Sequence, residues 1–94
     1  MIDNDEPVRL PIEDSIDLHA FAPRDVPDVV ESYLEAAAEA GLEEVRIIHG
    51  RGKGVQKERV RRVLEKSELV AHCEEATPER GGWGATVVTL KRPT

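Results

Sequence analysis

The chain has 94 residues, 39 % of them hydrophobic and 34 % charged, with a formal net charge of −6. That length carries one domain, and because Phe21, Tyr33 and Trp83 are its only aromatic residues, the core must be built from Val, Leu, Ile and Ala. The single Cys73 excludes an internal disulfide and a cysteine-based zinc site, and no apolar run approaches the ~20 residues of a membrane span, so a free thiol in a reducing cytoplasm is expected.

Residues 1–14 hold Pro7, Pro11 and six charged side chains without a sustained period, which predicts a flexible acidic arm ahead of a domain over 15–92. The arm lacks the basic and apolar parts of a signal peptide. Ser15-Ile16-Asp17-Leu18-His19 alternates apolar and polar residues. This predicts a short strand with Ile16 and Leu18 on one face and Asp17 and His19 on the other. After a loop at 20–24, Asp25 is placed to cap a helix that tolerates Pro27 in its first turn. Val26, Val29, Val30, Tyr33, Leu34, Ala37 and Ala38 recur at helical spacing, Glu31, Glu35 and Glu39 fall on the outer face, and Gly41 ends the helix. Residues 45–48 predict a buried second strand, interrupted only by Arg46.

Next comes His49-Gly50-Arg51-Gly52-Lys53-Gly54, then a helix to about residue 67 that offers Val60, Val63 and Leu64 to the core. A third strand over 69–74, a loop over 77–84 and a β-branched fourth strand over 85–90 complete the order β-α-β-α-β-β. Right-handed crossovers put both helices on one face of a four-stranded mixed sheet, with the last strand antiparallel to its predecessor. The fold class is α/β.

Charge is unevenly spread. Residues 50–66 set Glu58 and Glu65 against Arg51, Lys53, Lys57, Arg59, Arg61, Arg62 and Lys66, a local +5 in an acidic chain. Such a segment is either a solvated helix face or the footprint of an anionic partner. Its start suggests the second. A strand, a glycine-rich turn and a helix start together aim backbone N–H groups and the positive helix end at one point. Arg51 and Lys53 add charge, and Gly50, Gly52 and Gly54 let a bulky backbone approach. The spacing is neither the G-x-G-x-x-G of a dinucleotide fold nor a Walker loop, since no Gly-Lys-Ser/Thr follows.

Asp17 and His19 should reach the same sheet edge as His49, because parallel strands joined by a crossover end together and ligands bind outside that edge. Two histidines and a carboxylate could do general acid/base work on a phosphodiester or hold a divalent ion, with Asp17 orienting His19 or binding the metal. A metal such as magnesium or manganese is left open. His72 lies mid-strand with no obvious partner and reads as structural or exposed. In Gly81-Gly82-Trp83-Gly84-Ala85-Thr86 the glycines mark a bulge or close backbone approach, and Trp83 either stacks on a base or lids the edge of the core.

These three motifs, Ile16-Asp17-Leu18-His19, the 49–54 loop and the 81–86 turn, occur in an order and at intervals that resemble the Smr (small MutS-related) domain. The resemblance runs from about residue 15 to 92. It implies a two-layer α/β sandwich like the C-terminal domain of bacterial initiation factor three, nucleic-acid binding and, in several members, nicking of DNA or RNA. By position it puts the acidic-and-histidine motif on Asp17 and His19, the loop motif on His49, Gly50, Arg51 and Gly52, and the late turn on Gly82 and Gly84. One departure is Ala20, where a glycine commonly follows the first histidine.

The expectation is a stand-alone Smr-like domain, monomeric or weakly dimeric, that binds DNA or RNA and nicks it. Asp17, His19 and His49 would be catalytic; Gly50, Arg51, Gly52, Lys53, Gly54, Gly82, Trp83 and Gly84 would hold the strand. The alternative is a non-catalytic module that binds nucleic acid or docks a protein on its open sheet face.

Overall fold

A computed structural model describes residues 12–50 and 54–91. The main elements are β1 (Ser15–Asp17), α1 (Val26–Glu39), β2 (Glu44–Ile48), α2 (Val55–Lys66), β3 (Val70–Glu75) and β4 (Ala85–Leu90). The sheet order is β1-β2-β4-β3. β1 runs parallel to β2, and β4 runs antiparallel to both β2 and β3. This is the expected mixed four-stranded sheet. The last strand is inserted between β2 and β3, which accounts for its unbroken β-branched run.

Both helices cover one face. Val26, Val30, Leu34 and Ala37 of α1 and Val60 and Leu64 of α2 share a core with Val45, Ile47, Val88, Leu90 and Leu18. α1 closes as its sequence predicts. Gly41 takes φ +83°, its N–H donates to Ala38 O at 3.1 Å, and Leu42 N–H donates to Ala37 O at 3.0 Å. These are the two bonds of a Schellman cap. The start of α1 differs from expectation. Asp25 makes no side-chain cap, because a 3₁₀ turn at Pro23–Asp25 runs straight into the helix and leaves Asp25 helical, with φ −89° and ψ −10°. A side-chain cap needs extended backbone there.

The strand expected over 15–19 stops at Asp17. The Asp17 carboxylate accepts the His19 N–H and caps a 3₁₀ turn at Leu18–Ala20. This side-chain-to-backbone bond competes with the ladder and wins at the sheet edge. Leu18 still enters the core, 1 % exposed. Residues 12–14 are tied to the domain, since Tyr33 donates to Glu13 O at 2.5 Å and Arg46 N–H to Asp14 O at 2.8 Å. The rest of the acidic arm, residues 1–11, lies outside the described residues.

The face of the sheet away from the helices is not a bare docking surface. Arg46 donates to Arg80 O at 2.9 Å, and the Arg80 guanidinium pairs with Glu44 at 3.0 Å. Ala76, Ala85 and Val87 are buried there in a second small cluster with Ile48. Among the described residues no helix is long and apolar enough to cross a membrane.

Candidate nucleic-acid site

The parallel pairing of β1 with β2 sets Asp17 opposite Ile48. The chain then places His19 against Gly50. A Cβ built on Gly50 would lie 3.0 Å from His19 Nε2, and Gly50 itself takes φ +86°. Glycine is thus required twice, for the backbone and for the ring. The expected meeting of the first motif with the glycine loop is present.

Asp17 Oδ1 receives two bonds from His19, the backbone N–H at 2.9 Å and the ring Nδ1–H at 2.6 Å. The backbone bond first, and the ring bond second, hold the Asp17 carboxyl below its ordinary 3.8. An ionised Asp17 accepts only, so Nδ1 carries a proton, and the neutral tautomer that matches this bond has its lone pair on Nε2. Both side chains are open to solvent, at 68 % for His19 and 58 % for Asp17. Ala20 is exposed, and no described residue other than glycine has positive φ, so alanine fits this turn without backbone strain.

His49 is held differently. Its side chain is buried, 5 % exposed for the residue. Its ring lies between Gly50 O, 3.1 Å from Nδ1, and Thr86 Oγ1, 2.9 Å from Nε2. A carbonyl accepts only, so Nδ1 donates and Nε2 accepts the Thr86 hydroxyl proton. Burial pushes the His49 pKa below 6.5, and the Lys57 charge adds to this against the Gly50 and Glu75 contributions. The backbone N–H groups of His49 and Gly50 both donate to Gly84 O at 2.9 Å. Those two amides, expected to face an anion, are therefore engaged within the fold.

The late motif supplies this clasp. Gly81 and Gly82 take φ +117° and +54°, turning the chain so that Gly82 N–H reaches Thr77 O at 2.9 Å and Gly84 O faces the loop. Gly82 and Gly84 are buried, as builders of the loop's support. Thr86, quoted in the motif but given no role, is the residue sequence reasoning missed. Its signal was legible: on β4 it shares the helix-facing side with Val88 and Leu90, and a polar group there needs a partner.

Trp83 closes the far side. Its ring lies over Gly54, where an added Cβ would be 3.4 Å from Cη2, and the Lys57 ammonium sits 4.3 Å from its centroid. Lys57 also pairs with Glu75 at 3.1 Å. The ring remains 39 % exposed, so it lids an edge and presents a surface at once. Gly54, with φ +86°, starts α2 without any side-chain cap, and Glu58 N–H to Gly54 O at 2.9 Å is the first helical bond. Helix geometry leaves the N–H groups of the first turn without intrahelical partners. Arg51, Gly52 and Lys53 lie outside the described residues. His72 is exposed on β3 and meets Glu74 at 3.3 Å. Among the described residues no three His, Cys, Asp or Glu side chains converge as a metal centre. Asp17 and His19 offer two donors that already bind each other, which does not fit a magnesium or manganese site by itself.

The Smr domain family model matches residues 16–91. Endonuclease MutS2 of Aquifex aeolicus is 38 % identical over 87 residues, and that of Staphylococcus aureus 35 % identical over 83. These matches take in 89 % and 88 % of the chain but 11 % and 12 % of the relatives, so the chain spans about a tenth of their length. The crystal structure of the Smr domain of Thermus thermophilus MutS2 superposes with a TM-score of 0.79 at 32 % identity, covering 84 % of this chain and 99 % of that one. YdaL, a stand-alone small MutS-related protein from Escherichia coli, gives a TM-score of 0.72 at 29 % identity, over 84 % of this chain and 65 % of its own. With the three motifs gathered at one sheet edge and the family model matching nearly the whole described fold, the chain belongs to the Smr domain family.

Proposed function

We propose that this domain binds the phosphodiester backbone of DNA or RNA at the glycine loop and nicks it, with the Asp17–His19 pair as its acid/base group. The observation that carries this reading is the position of His19. Its Nδ1 is fixed by Asp17, and its Nε2 lies against Gly50 at the loop's mouth. That nitrogen can take the proton of an attacking water, or of a ribose 2′-hydroxyl on RNA, as the P–O bond to the leaving oxygen breaks. The imidazolium so formed is stabilised by the Asp17 carboxylate. The first-turn amides of α2, which have no intrahelical partner, with Arg51 and Lys53 as assigned from the sequence, would hold the phosphate oxygens. Relatives named endonuclease support the activity.

The proposed role of His49 changes. A buried ring with both nitrogens engaged is poorly placed to exchange protons with a substrate, and we assign it to holding the shape of the loop. Trp83 is assigned to stacking on a neighbouring base.

The test is conversion of supercoiled plasmid, and of a labelled RNA, to nicked product by the purified protein. His19→Ala should abolish nicking while binding persists. Equal nicking by that variant would remove His19 from the chemistry. No nicking of either substrate by the wild-type protein would leave the non-catalytic binding module as the correct reading.

A further inference from the structure

The five cations of α2 are not equivalent, and their ion pairs sort them. Arg61 forks onto Glu58, Nε at 3.2 Å and Nη2 at 2.5 Å, and also bonds Glu65. Both acids of the helix thus converge on one arginine. Lys57 is matched by Glu75 of β3. That leaves Arg59, Arg62 and Lys66. Among the described residues Arg59 meets the neutral Gln56, at 3.0 Å, and no carboxylate. Arg62 reaches Glu58 at a long 3.4 Å, on a carboxylate that Arg61 already holds, and is 72 % exposed. Lys66 is exposed and has no carboxylate partner among the described residues.

These three form a stripe. At ~100° per residue, positions 55, 59, 62 and 66 fall within about 60° of one another. The stripe begins at the candidate site, where Gly54, Val55, Glu58, Arg59 and Arg62 line a shallow groove of about 380 Å³. Lys57 and Arg61 face the other way, toward β3, beside Cys73 and Glu75. From Gly54 to Lys66 the helix rises about 18 Å, the length of roughly five nucleotides of a helical strand at ~3.4 Å each.

We infer that the strand gripped at the glycine loop continues along this outward stripe of α2, its phosphates neutralised by Arg59, Arg62 and Lys66, while Lys57 and Arg61 take no part. This rests on the nucleic-acid reading above and adds the path of the strand. The outer face of α1, with Glu31, Glu35 and Glu39 exposed, repels the same phosphates and favours one direction of exit.

The experiment is a salt titration of binding to fluorescein-labelled single strands, DNA and RNA of one sequence, with the whole 94-residue chain. Arg59→Gln/Arg62→Gln is compared with Arg61→Gln, and circular dichroism checks that each variant is folded. The expected result is a slope of log K against log salt smaller by about 1.4 in the double variant, two lost phosphates at ~0.7 each, on whichever strand the wild type binds. Arg61→Gln should keep the wild-type slope, and Lys66→Gln alone should lose about 0.7. A steep wild-type slope retained by the double variant, or lost equally in Arg61→Gln, overturns the stripe and spares the site. A wild-type chain that binds neither strand overturns the stripe, and one that also neither binds nor nicks the supercoiled plasmid overturns both.

Discussion

Two histidines flank Gly50, and the fold treats them in opposite ways. His19 stands on an exposed turn, with one ring nitrogen fixed by Asp17 and the other facing the loop. His49 is folded inside, with Gly50 O and Thr86 Oγ1 occupying its two nitrogens. Proton transfer needs a nitrogen that a substrate can reach; shape needs nitrogens that are already satisfied. The same residue type serves both needs, and burial decides which. Removing each side chain in turn should therefore break different properties.

The largest effect belongs to His19→Ala. It should lower the nicking rate by roughly 10²–10⁴-fold, the usual contribution of a positioned acid/base group. Thermal stability should stay within about 0.5 kcal/mol of wild type, because the ring is exposed and only its Asp17 bond is lost. A thermal melt beside the plasmid assay separates these. A marked fall in Tm would mean that His19 supports the loop as His49 does, and the contrast would collapse.

His49→Ala should invert the pattern. It leaves the Thr86 hydroxyl and the Gly50 carbonyl without their partner, a loss of about 1–3 kcal/mol, read as a drop of several degrees in Tm. Activity should fall only as far as the loop loosens. Asn has an amide that can donate toward Gly50 O, so His49→Asn should recover much of both stability and nicking. An acid/base role would give a different result, since asparagine transfers no protons at neutral pH. Full loss of nicking in a stable His49→Asn protein would return His49 to the chemistry.

The fold was largely legible because its elements depend on local patterns. The helical spacing over 26–38, the β-branched run over 85–90 and Gly41 each found the expected place. The site was legible in part. Alternation carried the first strand through His19, but the Asp17 carboxylate turned the chain two residues earlier. That turn is what brings the His19 ring onto Gly50. Glycine-rich motifs suggested open backbone for a ligand, yet Gly84 O engages the first two amides of the loop from inside. Sequence marks glycine as permissive without saying whether the approaching group is a ligand or another strand of the same chain. The Asp25 cap failed for a similar reason, since the preceding 3₁₀ turn had already set the backbone.

Acid should report on the burial of His49. His49 has its pKa lowered in the folded state, so the unfolded chain binds more protons as pH falls. Its contribution to stability is fully present above the ordinary 6.5 and is lost as pH falls from there through the lowered folded value. Asp17 is also lowered, from 3.8, so its contribution is present above 3.8 and is lost only at more acid pH, through its own folded value. Chemical denaturation at a series of pH values should show stability declining below about pH 6.5, and His49→Asn should flatten that part of the curve. An unchanged decline in the variant would place the titrating group elsewhere.

A smaller effect on stability than at His49 is expected at Trp83, where the lid and the platform are one ring. Trp83→Ala removes the packing over Gly54 and the cation–π contact with Lys57, the contact itself contributing about 0.5–1 kcal/mol, while Lys57 keeps its pair with Glu75. Binding to a single strand should weaken more than this, because base stacking on an aromatic ring contributes about 1–3 kcal/mol. Trp83 is the only tryptophan, so its emission reports directly on the site. Addition of an unlabelled strand should quench it in the wild type, and in His19→Ala as well, because the platform does not depend on the acid/base group. Unchanged emission at saturating strand would make Trp83 a lid only. The ligand would then be confined to the loop and α2.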